Sequence, residues 1–187
     1  MTRKLLFFLL VAIVVASCTA LGTKTLYKSE ATINIKKLAF AKLDGSTIVA
    51  KIFPQTNYVF GKGVTETFKA YNIDDVTPIN REFPIVNPDK NTIAQICKQN
   101  NFDGLVVSHL KFINHRYTMY MQTTSNWNTE VEMKLFDKDG NLVLAVLHNT
   151  SKGNSYVTLQ TADRTIYDGA EGAVKRLAKE LGLSNQR

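Results

Sequence analysis

The sequence predicts an α/β (α+β) domain: a mixed β-sheet of about five strands with helices packed on it, closed by a carboxy-terminal helix after a β-meander. Three observations predict it. Apolar residues alternate with charged ones at Val131, Met133 and Leu135 against Glu130, Glu132 and Lys134, the period of a half-buried strand. A stripe of Ile166, Ala170, Ala173, Val174, Leu177 and Leu181 recurs at helical spacing near the end. Between residues 33 and 107 strand-like and helix-like stretches take turns, which calls for a sheet covered by helices.

The elements follow in order. Ile33 to Leu43 is strand-like and is closed by the turn pair Asp44-Gly45. Thr47 to Phe53 is β-branched and apolar, ends at Pro54, and fits no single element. Asn57 is placed to cap a helix whose apolar face is Phe60, Val64, Phe68 and Tyr71, although Gly61 and Gly63 lower its propensity. A short strand is expected over Val76 to Phe83, bounded by Pro78 and Pro84. Asp89 is the expected N-cap of a helix carrying Ile93, Ile96 and Cys97, which Asn100 and Asn101 end. A long strand then runs from Leu105 towards Met121. Asp137-Lys138-Asp139-Gly140 turns the chain into Leu142 to Leu147, making a hairpin, and Gly182 stands at the C′ position of the last helix.

The amino terminus is built differently. Arg3 and Lys4 precede an unbroken apolar run of twelve residues, Leu5 to Ala16. As a helix the run spans about 18 Å, short of a hydrocarbon core of about 30 Å, so it reads as a secretory signal over residues 1–17. It ends in Val15-Ala16-Ser17-Cys18, and an apolar residue, two small residues and Cys resembles the lipobox of bacterial lipoproteins. The resemblance implies acylation of Cys18, cleavage before it, and attachment to a membrane through that lipid. With Thr19 rather than Asp after the Cys, it implies the outer membrane, facing the periplasm. Residues 18–30 are expected to be a short, aperiodic lipidated tether, and 31–187 a single periplasmic domain.

Loss of Arg3 and Lys4 with the signal lowers the net charge from +7 to +5. Basic residues are scattered, with only Lys36-Lys37 and Lys175-Arg176 adjacent, so nucleic acid is not an expected partner. Anionic lipid headgroups or cell-wall polymers, or solubility alone, fit the charge better. Cys97, with Ile93 and Ile96 close by on its helix, is expected to be a buried small residue.

Three stretches carry a further resemblance. Lys37-Leu38-Ala39-Phe40-Ala41-Lys42-Leu43-Asp44-Gly45 resembles a first core strand of periplasmic assembly lipoproteins. Asn101-Phe102-Asp103-Gly104-Leu105-Val106-Val107 is similar to their helix-to-strand junction, and Leu135-Phe136-Asp137-Lys138-Asp139-Gly140-Asn141-Leu142-Val143 to their hairpin. The group includes the curli-secretion lipoprotein, the lipoprotein activator of penicillin-binding proteins and the amino-terminal domain of TolB. It implies a non-enzymatic protein-binding module in envelope assembly or secretion. Two features depart from particular members: there is no long linker after the lipidated Cys, and Tyr117 to Gln122 is too short to supply a pair of membrane-spanning strands.

Catalytic spacings are not found, and no catalytic residue, metal ligand or cofactor is assigned. His109, His115 and His148 form no H-E-x-x-H, and no G-x-S-x-G occurs. Gly61-Lys62-Gly63 lacks the remaining positions of a phosphate loop. Asp137 to Gly140 would need Glu where His148 stands to close a calcium loop. One stretch, His109 to Trp127, mixes basic and aromatic residues, and Arg116, Tyr117, Tyr120 and Trp127 are the candidate partner contacts; core aromatics on a central strand pair are the competing reading. The partner is expected to be an envelope protein or a further copy of the chain. A small-ligand or glycan-binding lipoprotein is the alternative, and an envelope hydrolase would need carboxylates brought together by folding.

Overall fold

The computed structural model describes residues 22–30, 33–45, 51, 53–119, 122–151 and 161–185, within 114–126 by the backbone alone. The signal segment, Cys18 and Tyr120 lie outside the described residues. Among the described residues six strands and three helices run in the order β1 (Thr23–Lys28), β2 (Lys37–Lys42), α1 (Thr56–Ala70), β3 (Asp75–Glu82), α2 (Lys90–Asn100), β4 (Gly104–Met119), β5 (Gln122–Asp137), β6 (Leu142–Asn149) and α3 (Ala162–Glu180). The strands form one mixed sheet in the order β1-β6-β5-β4-β2-β3. β2 is parallel to both β3 and β4, and the meander β4-β5-β6 is antiparallel.

The sixth strand corrects the expected count of about five and the reading of 18–30 as an aperiodic tether. Thr23–Lys28 pairs antiparallel with β6, Thr23 opposite His148 and Lys28 opposite Leu144. An edge strand has one neighbour and one packed face, so its alternation is weak, and a register shift between Thr25 and Tyr27 breaks the period of two altogether. Two boundaries also move. The first helix begins at Thr56 behind Gln55 rather than at a cap on Asn57, and Asn57 Oδ1 accepts the Leu43 N–H at 3.4 Å instead. The expected strand from Ile33 starts at Lys37.

The sheet is covered on two faces by different helices. Leu38, Phe40, Val106, Val131, Met133, Leu135 and Val146 join the apolar faces of α1 and α3 in one core. Ala39, Ala41, Leu105, Val107 and Phe136 meet Ile93 and Cys97 of α2 in the other. The right-handed rule for crossovers accounts for this: α1 leads from β2 outward to β3, and α2 leads back past β2 to β4, so the two helices take opposite faces. Coverage by α2 stops near Val107. Beyond it that face carries His109, Lys111, Glu130, Glu132 and Lys134, none of them buried, which is why β5 alternates so plainly in sequence.

Helices α1 and α3 pack closely because of small residues. A Cβ at Gly63 would lie 2.9 Å from that of Ala170 and 3.1 Å from the Tyr167 carbonyl oxygen. The glycine that weakens the helix in isolation is thus required where it meets its neighbour. Asp89 caps α2 as expected, accepting from the Asn91 N–H at 3.0 Å, and Asn101 closes it in the left-handed conformation at φ 55°. Gly182, at φ 74°, ends α3.

Candidate functional site

β4 and β5 are sixteen residues each and pair without interruption from Gly104 opposite Asp137 to Met119 opposite Gln122. Among the described residues β2 accompanies β4 from Gly104 to Val106, with one further bridge from Asp44 to His109, and β6 accompanies β5 from Glu130 to Phe136. The Thr129 carbonyl still accepts the Thr150 N–H at 2.9 Å, and from Ile113 and Asn128 outward the two strands pair, among the described residues, with each other. Seven residues on each arm at about 3.4 Å apiece make a two-stranded ribbon of roughly 24 Å past the described pairing with the neighbouring strands. It is longer than the Tyr117 to Gln122 tip that the sequence isolates; one arm mixes Asn114, His115, Arg116 and Thr118 with Ile113, Tyr117 and Met119, and the other carries Thr123, Thr124, Ser125 and Asn126.

The root of the ribbon is held twice. Phe53, Phe112 and Trp127 form an aromatic cluster, with Phe53 and Phe112 centroids 4.8 Å apart and Trp127 edge-on to Phe53 at 4.9 Å and to Phe112 at 5.9 Å. Beside it three buried hydroxyls tie β5 to α3. Thr150 Oγ1 lies 2.7 Å from Thr165 Oγ1, and Thr129 Oγ1 donates to the Thr165 carbonyl oxygen at 2.7 Å. The Thr129 N–H in turn donates to Thr150 Oγ1 at 2.8 Å. Each buried hydroxyl has a partner, so the junction is rigid rather than strained.

The sequence candidates therefore separate. Trp127 is half-buried and packs at the root, closer to the core-aromatic reading than to a free contact. Arg116 and Tyr117 lie on the ribbon opposite Ser125 and Thr124. Tyr120 and Cys18 fall outside the described residues. Sequence reasoning missed Phe53, whose stretch fits no periodic element, and the Phe112 that joins it to Trp127.

Groups with displaced pKa values lie elsewhere. The Asp89 carboxyl is held below its usual range by hydrogen bonds from Thr92 and Asn91, and that of Glu180 by Lys28 Nζ and the Thr25 hydroxyl. Both shifts favour the charged form, which suits caps and ion pairs rather than proton donation. Burial pushes the Cys97 thiol up to about 11, so this fully buried residue has the inert character expected of it. The hydrogen bond from Tyr167 Oη to Glu66 at 2.8 Å, helped by burial, raises the phenol to about 12. His109 Nδ1 sits 3.8 Å from Asp44 Oδ2, beyond hydrogen-bond length. Among the described residues no group of three or more His, Cys, Asp or Glu side chains is placed to hold a metal ion.

Two open troughs flank the sheet. One, of about 760 Å³, runs between α1 and strands β2 and β3 over Phe40, Leu43, Phe60 and Ile79, with Lys42 and Lys62 on its rim. The other, of about 690 Å³, lies between Gly22, Thr23, the end of β6 and the charged face of α3.

No family model and no curated protein matches the chain by sequence. Its fold does match solved structures. A PelC dodecamer from Paraburkholderia phytofirmans superposes with a TM-score of 0.55 at 13% identity, covering 87% of this chain and 98% of that one. A single-substitution variant of the same protein, in a second crystal form, gives 0.54 at 12% identity over 88% of this chain and 100% of that one. At such identity the likeness is one of fold, and it spans nearly the whole of the other chain.

Proposed function

We propose that the chain is a lipid-anchored, non-enzymatic module of the bacterial cell envelope that binds protein partners in assembly or secretion. In this reading Cys18 carries the lipid on the periplasmic face of the outer membrane. The partner is another envelope protein or further copies of the chain. The observation that carries the reading is the ribbon of β4 and β5. It carries Arg116 and Tyr117 four and five residues beyond Phe112, which packs against the core. Arg116 and Tyr117 are residue types enriched where partners bind. That the similar PelC structures are dodecamers supports self-assembly as one form of that contact. No helix among the described residues is long and apolar enough to cross a membrane, and the lipid on Cys18 would supply the attachment.

The test is photocrosslinking in intact cells from a reactive residue at Tyr117. A stoichiometric adduct, with an envelope protein or with the chain itself, that is lost from a second site on Arg116→Ala is the expected result. Adducts with no dominant species would remove the ribbon as the contact. Cys18→Ala should shift the protein out of the membrane fraction; retention there would contradict the anchor. The ligand-binding alternative draws support from the apolar trough under α1, and would show as a ligand-dependent thermal shift abolished by Ile79→Glu.

A further inference from the structure

Four large apolar side chains are well exposed among the described residues: Leu26 at 46%, Tyr27 at 45%, Tyr58 and Val86. Two of the four are adjacent, and the reason is geometric. Successive residues of a regular strand point to opposite faces, but the register of β1 against β6 slips between Thr25 and Tyr27. Thr25 pairs with Val146 and Tyr27 with Ala145, which leaves Leu26 as an extra residue bulging from the edge of the sheet. A bulge blunts an edge against strand pairing, and an apolar pair on it is otherwise unrewarded.

The surroundings are basic. Lys24 and Lys28 bracket the pair and are both exposed. Lys175, Arg176 and Lys179 of α3 line the same hollow as Gly22 and Thr23 at the start of the strand. Three acids offset part of this. Asp168 and Glu171 line the same hollow, with Glu171 2.8 Å from Lys175. Glu180 lies 3.0 Å from Arg176 and holds Lys28 Nζ at its carboxylate, 3.1 Å, and its carbonyl oxygen, 2.7 Å. The chain length settles where the strand lies relative to the anchor. Cys18 precedes Thr23 by five residues, so even a fully extended connection keeps the start of β1 within about 18 Å of the acylated residue.

We propose that the rim of β1 is a second membrane contact, with Leu26 and Tyr27 seated at the interface of an anionic phospholipid surface and Lys24 against its phosphates. The proposal rests on the lipid-anchor reading of Cys18. Tyrosine and leucine flanked by lysines match the interfacial layer, where an apolar body is buried and cationic tips meet headgroups. Water in that layer also satisfies the open backbone edge of β1, which the hydrocarbon core would not. A lipid chain with a short connection leaves a domain free to pivot. A second contact beside the anchor fixes its orientation, so that the sheet stands on β1 with β3 at the opposite edge.

The experiment uses the lipidated protein in vesicles of phosphatidylglycerol and phosphatidylethanolamine. An environment-sensitive dye is placed at Leu26→Cys, or independently at Tyr27→Cys, with Tyr58→Cys and Val86→Cys as exposed references. Cys97 is fully buried and the unsubstituted protein checks that it stays unlabelled. Expected is quenching by spin-labelled lipid several-fold stronger at positions 26 and 27 than at 58 and 86. That excess should fall with Lys24→Glu or when neutral lipid replaces phosphatidylglycerol. Equal quenching at all four sites would overturn the proposal. Dye at 26 shielded from water but not reached by lipid quencher would overturn it in favour of a protein on β1. Protein that does not float with the vesicles would defeat the anchor reading itself, and this proposal with it.

Discussion

Gly172 of α3 leaves room for the imidazole of His148 of β6: a methyl group at residue 172 would overlap the ring at Nε2, Cε1 and Cδ2. On its other side His148 Nδ1 is 2.5 Å from Thr23 Oγ1 of β1. One side chain thus joins the edge strand to the meander beneath the terminal helix. That contact makes β1 part of the domain rather than an appendage, and it places the start of β1 beside α3.

Gly172→Ala should therefore be destabilising although alanine is the better helix former. Either the ring leaves its place or α3 lifts, at about 1–3 kcal/mol, and for a domain of this size each kcal/mol lowers the melting temperature by roughly 2–4 °C. Thermal unfolding of the two proteins measures it. A rise in melting temperature would mean that helix propensity outweighs the contact.

The same histidine makes stability depend on pH. Burial lowers the pKa of His148 in the folded protein, with Asp168 and Glu171 opposing it in part. The unfolded chain then binds the proton more readily, so stability rises with pH in the interval between the folded pKa and the unfolded value of about 6.5. Stability is full above that interval and declines as pH falls through it. His148→Gln keeps a polar group for Thr23 and removes the titration. Its melting temperature should fall less than that of the parent between pH 7.5 and 5.5, and parallel curves would assign the acid sensitivity to other groups.

Leu177 is fully buried where α3 meets the sheet. Leu177→Asp places an unpaired charge there, at about 3–5 kcal/mol or more, and should leave little folded protein. Leu177→Ala, at about 2–5 kcal/mol, is the graded control. An unchanged melting temperature for the aspartate variant would remove the terminal stripe from the core.

Trp127→Ala should act locally. It strips two edge-on contacts from Phe53 and Phe112, each worth about 0.5–1.5 kcal/mol beyond area burial, while the threonine junction of Thr129, Thr150 and Thr165 stays intact. The expected readout is faster proteolysis within 112–129 with a smaller change in global melting temperature. Global unfolding at the same rate as ribbon cleavage would show that the cluster supports the whole sheet.

Much of the architecture was legible in local pattern. The stripe of α3, the alternation of Val131 to Leu135 against Glu130 to Lys134, the turn at Asp137 to Gly140 and the cap at Asp89 each express a period or a single-residue preference. Elements with one neighbour were not. β1 is an edge strand with a bulge, so it has neither an alternation to count nor a run of β-branched residues. Of the candidate contacts, Trp127 was found for its residue type but belongs to a packed cluster, because Phe53 reaches it from a distant, aperiodic stretch. The extent of the ribbon escaped notice too, since nothing within β4 or β5 marks where β2 and β6 stop accompanying them.

By itself the sequence determined the class of fold and the core faces of the meander and last helix, since these follow from periods and short motifs read along the chain. Only the tertiary structure decided that Thr23–Lys28 joins the sheet beside β6, that β4 and β5 run on as a pair past the described lengths of β2 and β6, and that Leu26 and Tyr27 share an exposed edge. Those are matters of which strands run side by side and for how far. That is set by long-range packing, such as His148 between Thr23 and Gly172, to which no local window of the chain has access.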